Sequence, residues 1–85
     1  MSMSVSISHE LIHFVSHELL SGDLSDELSP EDDLLGDGLV DSLGMMRIVS
    51  HLEQQYGVVA PPEDVTIENF RTIAAIGRYV EERLQ

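Results

Sequence analysis

The chain has 85 residues, of which 16 are acidic and four are basic, so its formal net charge is -12 at pH 7. So short a chain forms one domain and has no room for a large enclosed active site. The negative charge excludes nucleic acid and anionic membranes as natural partners and favours basic protein surfaces, and the absence of cysteine excludes disulfides, thiolate metal sites and cysteine nucleophiles.

The first predicted element is a helix over residues 6–21. Its apolar residues recur at spacings of three and four, which is typical of a helix with one buried face. Ser6 or Ser8 can cap the N-terminus of this helix, and Gly22 can end it. The predicted buried face comprises Ile7, Leu11, Phe14 and Val15, with Leu19 at its C-terminal edge.

A long loop over residues 22–41 follows. Such a length is unusual in a small domain and indicates function or local structure. The run Ser29-Pro30-Glu31-Asp32-Asp33 places proline after a capping serine, which predicts a short turn. Gly36 and Gly38 allow the loop to bend into the next helix. Four leucines are expected to hold the loop against the core: Leu28, Leu34, Leu35 and Leu39.

Two features of this part of the chain invite a metal-site interpretation. Three histidines are spaced by four residues, at His9, His13 and His17. Imidazoles one helical turn apart can share an ion, but no carboxylate or cysteine completes a ligand set. Asp33 and Asp37 resemble part of a calcium loop, yet starting that loop at Asp33 puts Gly44 where a bidentate glutamate is needed. We therefore expect no dedicated metal site.

The most regular helical pattern covers residues 42–56, where Met45, Ile48, Val49, Leu52 and Tyr56 form the apolar stripe. Asp41 can accept hydrogen bonds from the first turn, and Gly57 can end the helix. Ser42 then occupies the first helical position, where a phosphate on its hydroxyl would lie near unpaired N–H donors and the positive helix end. The expected exposed face carries Leu43, Met46, Arg47, Ser50 and Gln54.

The remaining residues predict two further helices, over 66–70 and 72–84. Pro61-Pro62 favours an extended connection before them, and Thr66 and Thr72 can cap them. The fourth helix is expected to bury Ile73, Ile76, Gly77, Val80 and Leu84. Because no stretch shows sustained strand alternation, the predicted fold is all-α: a small bundle of three main helices and one short third helix.

Three sequence blocks together resemble the acyl carrier protein family. They are Gly-Leu-Val-Asp-Ser-Leu at residues 38–43, Tyr-Gly-Val at 56–58 and Glu-Asn-Phe-Arg-Thr-Ile at 68–73. The resemblance extends over roughly residues 6–84. In that family the matching serine carries 4′-phosphopantetheine in phosphodiester linkage, and the thiol of that arm holds a cargo as a thioester. The resemblance implies that Ser42 is the attachment residue, that Asp41 and Leu43 flank it in the cofactor-binding motif, and that the bundle is of the acyl-carrier type.

The function that the resemblance implies is carriage without catalysis. The chain would shuttle acyl or aminoacyl intermediates in a fatty-acid, polyketide or nonribosomal-peptide type pathway, or would be a discrete aminoacyl or D-alanyl carrier loaded by an adenylating ligase. The implied partners are a phosphopantetheinyl transferase, a loading ligase and downstream enzymes with basic docking surfaces, which meet the face that carries Leu43, Met46, Arg47, Ser50 and Gln54. Arg47 and Gln54 depart from the acids that are frequent there in fatty-acid carriers.

Two other interpretations of Ser42 stay open. Val-Asp-Ser-Leu at residues 40–43 nearly matches a hydrolase signature, with His51 or His13 as the base. His51 lies nine residues along the same helix, about 13 Å of rise away, and His13 has no evident orienting acid, so a catalytic triad is not expected. Alternatively, the chain is an unmodified interaction module.

We also expect a monomer in the cytoplasm. The N-terminus lacks a basic region followed by an apolar run, and no segment reaches the length of a membrane span.

Overall fold

The computed structural model describes residues 3–19, 28–36, 38 and 40–84, which form four α-helices. They are α1 (Met3–Phe14), α2 (Ser42–Tyr56), α3 (Ile67–Phe70) and α4 (Ile73–Leu84). A π-helix, Val15–Leu19, continues α1, and a 3-10 turn, Pro62–Asp64, precedes α3. The described residues include no strand and no helix long and apolar enough to cross a membrane. The predicted all-α fold of three main helices and one short helix is confirmed.

The core forms where the apolar faces of α1, α2 and α4 meet. Its fully buried aliphatic side chains are Leu11, Ile48, Leu52, Ile73, Ile76 and Val80. Burying one such side chain stabilises the fold by about 1.5–3 kcal/mol. The aromatic ring of Phe70 closes the core from α3 and contacts the ring of Tyr79, with the centroids 5.5 Å apart. The spacing of apolar residues therefore predicted the composition of the core well.

The N-caps predicted for α2, α3 and α4 are present, whereas the cap predicted for the first helix is wrong, because Ser6 and Ser8 lie inside α1. Asp41 Oδ1 accepts a hydrogen bond from the Gly44 backbone N–H at 2.7 Å. The hydroxyls of the two threonines do the same for the shorter helices, Thr66 from Asn69 at 3.3 Å and Thr72 from Ala75 at 3.0 Å. Gly57 ends α2 with φ at 69°, a left-handed conformation that costs glycine little.

The described part of the loop is bound to the junction of α3 and α4. The Leu34 N–H donates to the Arg71 carbonyl oxygen at 2.8 Å, and the Ala74 N–H donates to the Pro30 carbonyl oxygen at 2.9 Å. The predicted turn after Ser29 is confirmed, since the Asp32 N–H donates to the Ser29 carbonyl oxygen at 3.0 Å. Leu28 and Leu34 are buried and Leu35 is half-buried, as expected.

Residues 20–27, 37 and 39 lie outside the described residues, so the predictions for Gly22, Asp37 and Leu39 are not tested. The same holds for the predicted packing of the Leu19 side chain.

Three local expectations differ from the structure. α1 begins at Met3 instead of residue 6, because serine is tolerated inside a helix as well as at its cap. Its continuation over Val15–Leu19 is a π-helix, whereas an α-helix was expected to residue 21. Pro62 starts a 3-10 turn, since its restricted φ suits the first position of a helical turn. Leu84 was expected to be buried because it follows the helical period, but it is 43% exposed. The period gives the direction of a side chain and not whether another element packs against it.

Candidate functional site

Ser42 is the first residue of α2, and its side chain is exposed. The preceding Asp41 has extended backbone angles, with φ at -94° and ψ at -172°, as an N-cap residue should. Its carboxylate accepts the Gly44 N–H, and its carbonyl oxygen accepts the Met45 N–H at 2.8 Å. Because Asp41 performs the capping, the hydroxyl of Ser42 is not needed to stabilise the helix and stays at the positive end of α2.

An apolar pocket of about 530 Å³ opens beside Ser42, between the start of α2 and α3. Side chains that line it include Leu35, Met45, Met46, Val65, Ile67 and Phe70. Asp41 and Ser42 also line it, so the hydroxyl lies at the edge of an apolar cavity. Pockets that bind small molecules have this character, apolar with a few polar groups.

The pocket has an exposed apolar rim, formed by Met46, which is 60% exposed, and Ile67 of α3, which is 61% exposed. Leu43, next to Ser42 in the chain, is 75% exposed. Large apolar side chains that gather on a surface mark interaction sites. Ser42 lines the same pocket as Met46 and Ile67, so a protein that binds over this pocket would also meet Ser42.

The five residues that sequence analysis assigned to partner docking all have exposed side chains: Leu43, Met46, Arg47, Ser50 and Gln54. Four of them, at positions 43, 47, 50 and 54, follow the helical spacing of three and four and therefore form one stripe along α2. Among the five, Arg47 is the only one with an ionic side chain. Their predicted exposure is confirmed, whereas their role in docking stays a prediction.

Sequence analysis missed a polar network at the other end of α2. Both carboxylate oxygens of Glu10 lie 2.9 Å from His51 Nε2, and the Tyr56 hydroxyl donates to Glu10 Oε1 at 2.7 Å. The Phe14 ring stacks on His51, with the centroids 3.9 Å apart. Burial, and then the hydrogen bond to Glu10, raises the pKa of Tyr56 above its ordinary value. Glu10 and His51 are 41 residues apart, so no local sequence pattern indicates this contact.

This network bears on the hydrolase interpretation of Ser42. The ring nitrogen Nε2 of His51 is directed at Glu10 of α1, which argues against His51 as a base for Ser42, nine residues away on the same helix. His13 is exposed on α1 and stacks with His17, with ring centroids 4.2 Å apart. The described residues therefore contain no Ser-His-acid arrangement around Ser42.

The described residues also contain no group of three or more side chains that could hold a metal ion. His9, His13 and His17 are exposed. Asp33 is engaged by the protein itself: the Gly36 N–H donates to it at 2.7 Å, and Arg71 Nε lies 3.0 Å from its other oxygen. These two donors, the backbone N–H first, lower the pKa of Asp33 below its ordinary value. The Asp33 carboxylate thus makes its contacts within the protein, to Gly36 and Arg71.

Comparison with known proteins identifies the family of this chain. The family described as "Phosphopantetheine attachment site" matches residues 18–80. The chain belongs to this family of carrier proteins. Members of the family are carriers of a covalent 4′-phosphopantetheine group and are not catalysts in their own right, and they interact with phosphopantetheinyl transferases and biosynthetic enzymes.

Three curated relatives show the range of carriers that this protein resembles. Aminoacyl carrier protein 2 of Bradyrhizobium diazoefficiens is 26% identical, over 95% of this chain and 90% of the relative. The D-alanyl carrier protein of Abiotrophia defectiva is 34% identical, over 69% of this chain and 78% of the relative. The meromycolate extension acyl carrier protein of Mycobacterium tuberculosis is 32% identical, over 76% of this chain but only 55% of the relative.

A solved structure has the same fold. It is described as "Crystal structure of FAD-dependent dehydrogenase", and the matching chain superposes with a TM-score of 0.76 at 34% sequence identity. The match covers 82% of this carrier protein and 97% of that chain, so the matched chain is the shorter of the two.

The residues around Ser42 fit a 4′-phosphopantetheine group. Ser42 offers an exposed hydroxyl, the free N–H groups of the first turn of α2 suit a phosphate, and the adjoining pocket is apolar along Met46, Val65 and Ile67. The carrier role, the cofactor and the fold that the sequence resemblance implied are confirmed.

Proposed function

We propose that Ser42 is the attachment residue for 4′-phosphopantetheine and that residues 1–85 form a single carrier domain for an aminoacyl cargo. The observation that carries the proposal is the exposed Ser42 side chain at the first position of α2, beside a pocket whose rim is apolar. The cap provided by Asp41 supports it, because the hydroxyl has no structural task that modification would disrupt.

The chain's own residues would contribute position and electrostatics. The Ser42 oxygen forms the ester bond to the phosphate, and the first turn of α2 stabilises the resulting negative charge. Asp41 accepts the Gly44 N–H, so the N–H groups of Ser42 and Leu43 are the ones that can face the phosphate. When bound, the group supplies a flexible arm that ends in a thiol, on which the cargo is held as a thioester.

The aminoacyl assignment rests on the relatives that match over most of their length. The aminoacyl and D-alanyl carriers are covered over 90% and 78% of their chains, whereas the meromycolate carrier is covered over 55%. The face of α2 that carries Leu43, Met46, Arg47, Ser50 and Gln54 has no acid among these five residues, and this agrees with the choice because fatty-acid carriers commonly have acids there. An acyl cargo is the competing assignment.

The proposed partners are a phosphopantetheinyl transferase, an adenylating ligase that loads the arm and downstream biosynthetic enzymes. The net charge of -12 favours partners with positively charged surroundings at their docking sites. Because the solved chain of the same fold belongs to a structure described as a FAD-dependent dehydrogenase, flavin-dependent dehydrogenases are among the partners to test. We propose a monomer that works in the cytoplasm.

The attachment residue is tested by intact-mass spectrometry after incubation with coenzyme A and a broad-specificity phosphopantetheinyl transferase. The wild-type protein should gain the mass of one phosphopantetheine group, and Ser42→Ala should gain none. Ser50→Ala is the matched control, because Ser50 is another exposed serine of α2, and it should be modified fully. Modification of Ser42→Ala, or an unmodified wild-type protein, would contradict the proposal.

The cargo is tested on the modified protein with adenylating ligases for amino acids and for fatty acids, each supplied with ATP and its substrates. Aminoacyl loading, detected as a mass increase that hydroxylamine removes, is the expected result. Loading by a fatty-acid ligase alone would reject the aminoacyl assignment and leave the attachment residue unaffected.

A further inference from the structure

A second groove lies beside α2, between this helix and α1. It is lined by Phe14 of α1 and by Arg47, Ser50, His51 and Gln54 of α2, and its volume is about 260 Å³. It shares no lining residue with the pocket beside Ser42. The groove therefore offers a separate contact point, on the stripe of α2 that is exposed to partners.

The side chains of this groove favour a carboxylate. Arg47 is exposed, and its planar guanidinium presents five N–H donors in a geometry that matches a carboxylate. Five donors allow it to bind an incoming carboxylate while it keeps another contact. The Ser50 hydroxyl and the Gln54 amide, both exposed, add neutral donors at the next positions of the same stripe.

The described lining of the groove differs in charge from the protein as a whole. Among the described residues that line it, Arg47 is the one with a permanent charge, although the formal net charge of the chain is -12. Glu10 does not line the groove, and its carboxylate oxygens are bound by His51 and Tyr56. A partner that approaches this part of α2 therefore meets a cation with neighbouring hydrogen-bond donors.

We propose that the groove receives an acidic side chain of the adenylating ligase that loads the arm. The inference rests on the proposed function, since it names a contact made while the ligase reaches the arm on Ser42. Arg47 and Ser50 lie five and eight residues after Ser42, so the ligase carboxylate lies about 7–12 Å along α2 from the attachment point. The exposed apolar residues Leu43 and Met46 lie between Ser42 and Arg47 in the chain.

The proposal refines the expectation of a basic docking surface. The overall charge attracts a positively charged rim and speeds the encounter, whereas the groove selects an acid at one defined position. Complementary charges at such positions fix the register of two proteins and exclude wrong partners.

Loading kinetics of the modified protein test the proposal. With the ligase that loads the wild-type protein, Arg47→Glu should raise KM at least about tenfold, with kcat changed less than about twofold, because like charges then face each other. Arg47→Met should raise KM by a smaller factor. Arg78→Glu is the matched control: it has the same charge change at an exposed position of α4, outside the groove, and its KM should stay within about twofold of the wild-type value.

The outcomes separate the two proposals. An Arg47→Glu KM within twofold of the wild-type value, or an equal increase for Arg78→Glu, would overturn the docking inference. A wild-type protein that accepts no arm, or that no aminoacyl ligase loads, would instead reject the proposed function. Circular dichroism of each variant checks that the helices are retained.

A cross-linking experiment identifies the partner carboxylate directly. The chain contains no lysine, so Arg47→Lys introduces its only side-chain amine. Carbodiimide treatment of the complex should join that amine to an aspartate or glutamate of the ligase, which peptide mass spectrometry can locate. Arg78→Lys should yield no such link. A link from Arg78→Lys in place of Arg47→Lys would overturn the inference.

Discussion

The two ends of α2 are held in different ways. At the C-terminal end, Glu10 of α1 binds His51 and Tyr56, and Gly57 closes the helix in a left-handed conformation. At the N-terminal end, Ser42 and Leu43 are exposed, and the polar side-chain contact is the cap that Asp41 provides, while Met45 reaches the core. The comparison shows how a small helix can keep one serine exposed: polar side chains from another helix bind its far end, and its first residues are capped by a neighbouring side chain.

The largest difference between the ends should appear when one leucine at each is shortened. Leu52→Ala removes a fully buried side chain and should lower the free energy of unfolding by about 2–5 kcal/mol. Leu43→Ala removes a mostly exposed side chain and should change it by no more than about 0.5 kcal/mol. Urea denaturation followed by circular dichroism measures both. Equal losses would mean that the start of α2 is packed as tightly as its end.

The Asp41 cap at the N-terminal end of α2 should contribute less to the free energy of unfolding than the buried Leu52 side chain does. Asp41→Ala removes the acceptor for the Gly44 N–H and should lower the free energy of unfolding by about 1 kcal/mol. It should also speed amide hydrogen exchange in the first turn of α2, as measured by NMR. Asp41→Asn keeps an oxygen acceptor and is the control, with near wild-type exchange. If the asparagine variant exchanged as fast as the alanine variant, the charge of Asp41 would matter more than its cap hydrogen bond.

The contacts at the C-terminal end of α2 should weaken when the Tyr56 hydroxyl is removed. Tyr56→Phe removes the hydrogen bond to Glu10 and should lower the free energy of unfolding by about 1 kcal/mol, while Glu10 keeps its contact with His51. Urea denaturation at pH 7 measures the loss. The effect of Tyr56→Phe should shrink strongly in a Glu10→Gln background, and full additivity of the two changes would argue against a direct contact.

The smallest effect concerns pH. Because the folded protein raises the pKa of Tyr56, the neutral ring is favoured in the folded state, and this contribution to stability is fully present below pH 10, the ordinary pKa of tyrosine. It is lost as the pH rises further, since the unfolded chain then releases the proton more readily. Burial, and then Asp64, also raises the pKa of Tyr79, the other tyrosine.

Ultraviolet absorbance of tyrosinate measures this effect, because the chain has two tyrosines and no tryptophan. Little tyrosinate should form near pH 10 until the protein unfolds, and Glu10→Gln should lower the pH at which Tyr56 ionises. Tyr79→Phe leaves Tyr56 as the single reporter. If both tyrosines ionised at their ordinary pKa in the folded protein, the burial of Tyr56 and its hydrogen bond to Glu10 would be contradicted.

Local patterns were sufficient for the features that depend on a few neighbouring residues. The acid before Ser42 predicted the helix cap, the spacing of Met45, Ile48 and Leu52 predicted the buried side of α2, and the same period predicted the exposed stripe that contains Arg47. These features follow from the geometry of one helix and the hydrogen-bonding capacity of its ends.

Contacts between distant segments required the tertiary structure. Three features depend on how whole helices pack. They are the contact between Glu10 and His51, the groove lined by Phe14 and Arg47, and the pocket between α2 and α3. The sequence by itself thus determined which residues form the helices and that Ser42 is the first residue of α2. Only the packing of the helices decided which polar side chains would meet across the bundle, because a helical period specifies the direction of a face and not the residue that lies opposite it.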